Sequence, residues 1–387
     1  MKRLLCGLVL VALGCPAARA ADPYEVNVVM PLTGGASFLG SAERQAIELV
    51  EKLTNASGGI QGQPIHFVFQ DDQSSPQISV QLASRIVPTH PAVMMGSSIV
   101  GMCNAMAPLM TAGPVMYCFS PGIHPADGSF VFTSSVSTFD LAHALIRYYR
   151  MRGWTRIAII TSSDATGQDA DKGLAEILSD PENKAMQVVA HPHFNPTDVS
   201  VAAQMGTISA ASPQAIVAWS TGAPIATIFK GLTQAGIDVP TGTTDGNMTL
   251  AQMQRYAAFL PPQLYFPSAQ WVALGNDMVK DPQVRAAQLA FAAAYKADGK
   301  TPDVASALAW DPAQAVVAGL RALGTKATAE QFRTWLSSYT GAGVDGVYDF
   351  ARLPQRGLDA QSALVSRWDA KANYWVPVSV PGGAPAP

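Results

Sequence analysis

Apolar positions along this 387-residue chain alternate between two rhythms. Short continuous apolar runs such as VNVVM, IAII and AIVAW have the length of strands. Between them lie stretches whose apolar residues recur every three to four positions, the spacing of a helix with one buried face. The pattern predicts strands at 26–32, 65–70, 92–96, 114–119, 130–134, 156–161, 186–191, 215–219 and 241–244. Helices are predicted at 41–55, 76–87, 102–111, 139–152, 167–178, 199–211 and 224–235. Ala42, Ala46, Val50 and Leu53 share one face of the first helix, which can dock on a sheet. Strands apolar on both faces, alternating with helices, define an α/β architecture with a doubly wound sheet.

The units outnumber the strands of one ordinary sheet, so the chain divides near residue 140 into two doubly wound α/β lobes. From about 280 the pattern turns helical (282–298, 305–323, 328–338) and then ends in the short strands GVYDF, ALVSRWD and NYWVPV. The late helices are expected to return to the first lobe and the last strands to the second. Lobe 1 is then 21–140 with about 272–341, and lobe 2 about 141–271 with 342–378. Repeated crossings make a multi-strand hinge. The Pro/Gly/Ala tail 379–387 is expected to be disordered.

The N-terminus changes the setting. Lys2 and Arg3 precede an apolar run, and Ala18-Arg19-Ala20 closes it, the layout of a cleavable secretory signal cut after Ala20. Ala12-Leu13-Gly14-Cys15 imitates a lipoprotein box imperfectly, which makes a lipid anchor at Cys15 the alternative. Loss of Lys2, Arg3 and Arg19 lowers the basic count from 25 to 22 against 28 acids, and the net charge from -3 to -6. With no basic run, nucleic acid is excluded as an expected partner. Cys103 and Cys118 survive cleavage, at a helix start and a strand end on one sheet edge. An exported compartment permits their pairing as a disulfide; two buried thiols are the other reading.

Signatures of enzymes fail on context. The only Gly-Lys-Thr, at 299–301, lacks the upstream glycine of a phosphate loop. The G-x-G-x-x-G match at 341–346 follows a helix and precedes a strand, the reverse of a dinucleotide site, and reads as a flexible turn. Ser120 lacks the glycine of a nucleophile elbow. His191-Pro-His193 has no third ligand nearby in sequence, so a solvated strand end is expected and no metal. Asp71 and Asp72 point to opposite faces of a strand and are expected to serve loop amides and the next helix start. What remains is a set of six polar loops, each directly after a predicted strand: 33–40, 96–104, 120–125, 162–168, 220–224 and 245–249. Ligands of open α/β sheets bind at that edge, and helix N-termini with small hydroxyl residues suit a carboxylate.

The segments PLTGG, NASGGIQGQPIHFVFQDDQSSP, MMGSS before the apolar AMAPL, and FSPGIHP, in that order behind a signal, resemble the periplasmic substrate-binding proteins of ABC importers in the leucine/isoleucine/valine-binding family. The likeness covers nearly all of 26–378. It implies a type I clamshell, periplasmic and monomeric, that closes on a small carboxylate ligand without a cofactor and docks on an ABC permease in the inner membrane. Phe38 or Leu39 would pack the ligand, the other being core. Ser97 and Ser98 would meet its carboxylate or cap a helix; Ser120 and the Gly122 amide would face the carboxylate as well. Asp245 would take an ammonium or merely form an Asp-Gly turn. Thr166 and Gly222 stand where amino-acid binders often have aromatics, and His124 where a small hydroxyl is common. Trp271, and less directly Trp219, would supply aromatic walls if they are not core.

The expected role is therefore binding rather than catalysis. An amino acid of branched-chain type is preferred over an aromatic or other acid lacking an ammonium. A ligand sensor with the same fold competes with the transport role. An exported hydrolase is disfavoured because no nucleophile–base or metal set is present.

Overall fold

The computed structural model describes residues 22–275 and 277–387. The expected signal at 1–20, with Cys15, lies outside the described residues.

The first half winds as β1 (Tyr24–Met30), α1 (Ser37–Ala56), β2 (Ile65–Asp71), α2 (Pro76–Ile86), β3 (Val93–Gly96), α3 (Val100–Met106), β4 (Val115–Cys118) and β5 (Val131–Thr133). The five strands form a parallel sheet in the order β2-β1-β3-β4-β5. Leu39, Ala42, Ala46, Ile47 and Val50 are the buried face of α1, and the helix ends at Ser57 before two glycines of positive φ. Ser75 caps α2 by accepting from the Ile78 N–H, with Pro76 in the first turn, where its missing N–H costs nothing. Cys103 and Cys118 are joined as a disulfide between α3 and the end of β4.

After β5 the chain crosses to a second sheet. It runs through α4 (Thr138–Met151), β6 (Arg156–Ser162), α5 (Ala165–Ser179), β7 (Gln187–Ala190), β8 (His193–Phe194), α6 (Ala202–Ala211), β9 (Ala215–Trp219), α7 (Ile225–Gln234), β10 (Thr241–Gly242), α8 (Leu250–Tyr256) and β11 (Leu264–Ser268). All five residues of β9 are buried, as in a strand covered on both faces. The chain then returns through α9 (Pro282–Ala297), α10 (Ala307–Leu323) and α11 (Ala329–Ser337). There α10 lies along α1, and α11 lies near β4. Last come the hairpin β12 (Thr340–Ala342) and β13 (Val347–Asp349), then β14 (Leu364–Asp369) and β15 (Tyr374–Pro377). The latter two join the second sheet antiparallel, in the order β15-β14-β11-β10-β9-β6-β7. β8 extends the β6 edge.

Three expectations need correction. Leu53, expected on the docking face of α1, is 42% exposed. The segment 341–346 is no free turn: it belongs to the β12–β13 hairpin, and Asp311 of α10 accepts from the Val344 and Asp345 N–H groups at 2.9 and 3.0 Å. The tail is not disordered either. Glycines of positive φ at 382 and 383 fold it back, so that Gly382 N–H reaches Ala363 O and Ala386 N–H reaches Val378 O, at 2.7 and 2.9 Å.

Candidate functional site

The strand order of the first sheet reverses between β1 and β3, and that of the second between β9 and β6. Such switch points leave a crevice beyond the carboxyl ends of the strands. The two crevices face each other. Between them lies a narrow cavity of about 20 Å³, lined by Leu39, Ser98, Ile99, Val100, Ser120, Thr138 and Leu308 from one side, and by Thr166, Trp219, Thr221, Thr244 and Asp245 from the other. That is room for about one water, so a solute enters only when the halves part.

Short-range chemistry sets each wall. Asp71 Oδ1 accepts from the N–H groups of Leu32, Thr33 and Gln73, at 3.0, 3.1 and 2.9 Å, which fixes the loop leading into α1. In the second half, Asn247 ties two loops together. Its Oδ1 accepts from Gly222 N–H at 2.9 Å, and its Nδ2 donates to Ser220 O at 2.8 Å. Arg356, half-buried, donates to Pro121 O, Ser135 O and Ile123 O at 3.2, 2.9 and 2.5 Å, holding the Ser120 loop from the last crossing; desolvation lowers its guanidinium to about 10. Asp164 caps α5 by accepting from Thr166 and Gly167 N–H, which sets the Thr166 side of the cavity.

The electrostatics are those of buried acids. Asp245 is 4% exposed, and burial pushes its carboxyl up to about 6. Among the described residues its hydrogen bonds, from Thr244 Oγ1 and Gly246 N–H (both 2.9 Å), go to Oδ1, leaving Oδ2 for a solute. Across the cavity Glu43 is fully buried. Burial drives its carboxyl well above the usual range, with Asp72 and Asp245 adding to the rise. Its Oε2 accepts from the Ser98 hydroxyl and, among the described residues, its Oε1 has no partner. The Ser120 hydroxyl is likewise buried and unpartnered. The Ser120 hydroxyl lines the cavity, so a polar ligand there would relieve its cost.

Of the residues expected at the site, Leu39, Ser98, Ser120, Thr166 and Asp245 line the cavity, and so does Trp219. Phe38 turns away to meet the Tyr256 ring edge-on, with centroids 6.1 Å apart. Ser97 lies behind the wall and donates to Asp72 Oδ2 at 2.6 Å; Ser98 donates to Glu43. Both hydroxyl protons are thus spent on acids instead of being free for a carboxylate. Gly122 abuts Asp169 and Val100. His124 is exposed, its Nε2 paired across the cleft with Asp169 Oδ1 at 2.6 Å, because its loop leads outward. Gly222 sits at the seam, next to Ala223, whose N–H donates to Gly35 O at 2.7 Å. Trp271 is core against Phe291 (4.6 Å, edge-on), beside a separate groove.

Glu43 was missed by sequence reasoning, although an acid at an apolar-face position of α1, four residues after Leu39 and four before Ile47, was a usable signal.

Two wound sheets that meet over a cleft at their strand ends form a clamshell that binds a solute. The chain belongs to the periplasmic binding protein family, whose model matches residues 23–373. Members of this family are substrate-binding proteins, not enzymes. Over 86 residues the chain is 31% identical to a Leu/Ile/Val-binding protein homolog 2 of Brucella abortus; that match spans 22% of this chain and only 23% of the relative. Among solved structures, an extracellular ligand-binding receptor of Rhodopseudomonas palustris superposes with a TM-score of 0.80 at 21% identity, over 92% of this chain and all of the other. A branched-chain amino acid transporter substrate binding protein of Streptococcus pneumoniae, in complex with isoleucine, gives 0.76 at 18%, over 92% and 100%. A solute binding protein of an R. palustris ABC transporter, in complex with benzoate, gives 0.75 at 19%, over 95% and 98%. At these identities the likeness is one of fold.

Proposed function

We propose that this chain is the extracytoplasmic solute-binding component of an ABC importer, exported by its N-terminal signal, and that it captures an amino acid for a membrane permease. The observation that carries the ligand class is the buried carboxyl of Asp245 in the cavity wall. Asp245 lines the cavity and, among the described residues, no cationic side chain does; Glu43, behind Ser98, is kept neutral by burial. A ligand ammonium placed against Asp245 Oδ2 compensates charge that the fold has buried. The ligand carboxylate then turns towards the free Ser120 hydroxyl, and Leu39, Val100 and Leu308 accept an apolar side chain. Asp245 and Ser120 are thus the specificity pair, and His124 with Asp169 closes the mouth.

The benzoate-bound neighbour, together with Trp219 in the wall, supports a second reading in which the ligand is an aromatic acid without an ammonium. A thermal-shift screen of amino acids and aromatic acids tests the role itself. A cognate solute at about a hundred times its Kd adds about 2.7 kcal/mol of stability. Melting curves unmoved by every solute of both classes would count against solute capture.

A further inference from the structure

On the outer edge of the second sheet, outside the lining of the cavity, three side chains from different elements turn towards one point. Asp171 comes from α5; His191 follows β7, and His193 begins β8. His191 Nε2 lies 2.8 Å from Asp171 Oδ1, and His193 Nε2 lies 2.9 Å from Oδ2. The two rings are 4.7 Å apart between centroids. The His-Pro-His sequence lacked a third ligand, but α5 supplies one from 20 and 22 residues upstream. The arrangement is braced. Thr161 Oγ1 donates to Asp171 Oδ1 at 2.9 Å, Thr161 pairs with His193 in the β6–β8 register, and Gln204 Nε2 donates to His193 O at 3.0 Å.

We propose that Asp171, His191 and His193 bind a divalent transition cation of the zinc class. Two imidazoles and a carboxylate are the donor set that borderline cations such as Zn²⁺ select, whereas Mg²⁺ and Ca²⁺ require oxygen ligands. One ligand atom from each residue lies within 4.8 Å of the others. Around a cation with bonds of about 2.0–2.1 Å such atoms stand roughly 3.3 Å apart, a difference that small side-chain rotations absorb. Each imidazole would turn an unprotonated Nε2 to the ion and carry its proton on Nδ1. The carboxylate would exchange its imidazole donors for the metal and keep the Thr161 hydrogen bond, an outer contact that orients it. The rings are partly exposed, so the remaining coordination positions face water.

The test is calorimetric titration of ZnCl₂ into the chelator-treated full-length protein in a non-coordinating buffer. One saturable site is expected, with no comparable heat from MgCl₂. H191Q/H193Q and D171N should each weaken binding at least tenfold, while H66Q, which alters the separate His66–Glu51 pair, leaves it unchanged. Co²⁺ added to the wild-type protein should give the visible absorption of a site with nitrogen ligands, a readout that needs no variant. Absence of saturable Zn²⁺ binding, undiminished affinity in either variant, or a Co²⁺ spectrum no different from the aqueous ion would overturn the proposal.

Discussion

If Asp245 holds a ligand ammonium, binding and proton release are linked, with a sign that separates the two ligand classes. Without ligand the Asp245 carboxyl titrates at about 6 because burial disfavours its charge. An ammonium at Oδ2 stabilises the ionised form and returns its pKa towards the ordinary 3.8. Below about pH 6 the ligand must therefore expel a proton. The ionised fraction of the free protein is roughly one in eleven at about pH 5 and nine in ten at about pH 7. Affinity should accordingly rise about tenfold between them, about 1.4 kcal/mol, and level off above. Glu43 stays out of this count, since burial favours its protonated form. The assay is calorimetry across this range in two buffers of different ionisation enthalpy, which reports the proton released on binding. D245N should abolish the pH dependence and cost an amino-acid ligand most of its affinity, because the charge that held the ammonium has gone. A ligand without an ammonium requires Asp245 to keep its proton, so its affinity falls as pH rises through 6. Affinity that is flat or falling over the same range, or an affinity unchanged in D245N, would refute the ammonium assignment.

Other outcomes follow from the same geometry. Asp245, Asp303 and Asp311 are all raised by burial to about 6, so the native state without ligand holds more protons than the unfolded chain between about pH 4 and 6. Its melting temperature should fall as pH rises through that window, whereas a melting temperature that climbs there would contradict the burial of these acids. Gly222 has φ +83°, and a Cβ on it would lie 2.5 Å from Gly35 O, so Gly222→Ala should prop the cleft open. Ligand affinity should drop tenfold or more, with a larger radius of gyration in solution scattering, for a stability loss of more than about 1 kcal/mol. Breaking the disulfide with Cys103→Ser/Cys118→Ser removes a link across 15 residues and should cost about 3 kcal/mol in denaturant unfolding. His124→Ala removes an exposed partner of Asp169 and should alter the ligand off-rate by no more than severalfold.

The alternation of apolar runs and helical faces made the doubly wound architecture legible, because continuous burial of strands such as β6 and β9 writes itself directly into composition. Less regular elements escaped. β11 contains Pro267, which argues against a central strand; the fold accommodates it because pairing with β10 extends only over Leu264 and Tyr265. The short helix α8 is polar on much of its surface and shows itself mainly through its Thr249 cap. At the site, residues fixed by local loop chemistry, such as Ser120 and Asp245, could be found from their place after a strand. Others depended on distances between segments. Whether His124 faced the cavity or Asp169, whether Trp271 was wall or core, and what lay opposite His191 and His193 are set by tertiary neighbours that no local spacing encodes.

The central claim is that the cleft holds an ammonium-bearing solute at Asp245. A crystal structure of the closed, ligand-bound protein tests it most directly. The account predicts solute density between the two strand-end crevices, with its nitrogen within about 3 Å of Asp245 Oδ2 and its carboxylate at the Ser120 hydroxyl. A solute that turns a carboxylate or an apolar ring to Asp245, or that binds outside this cleft, would contradict it.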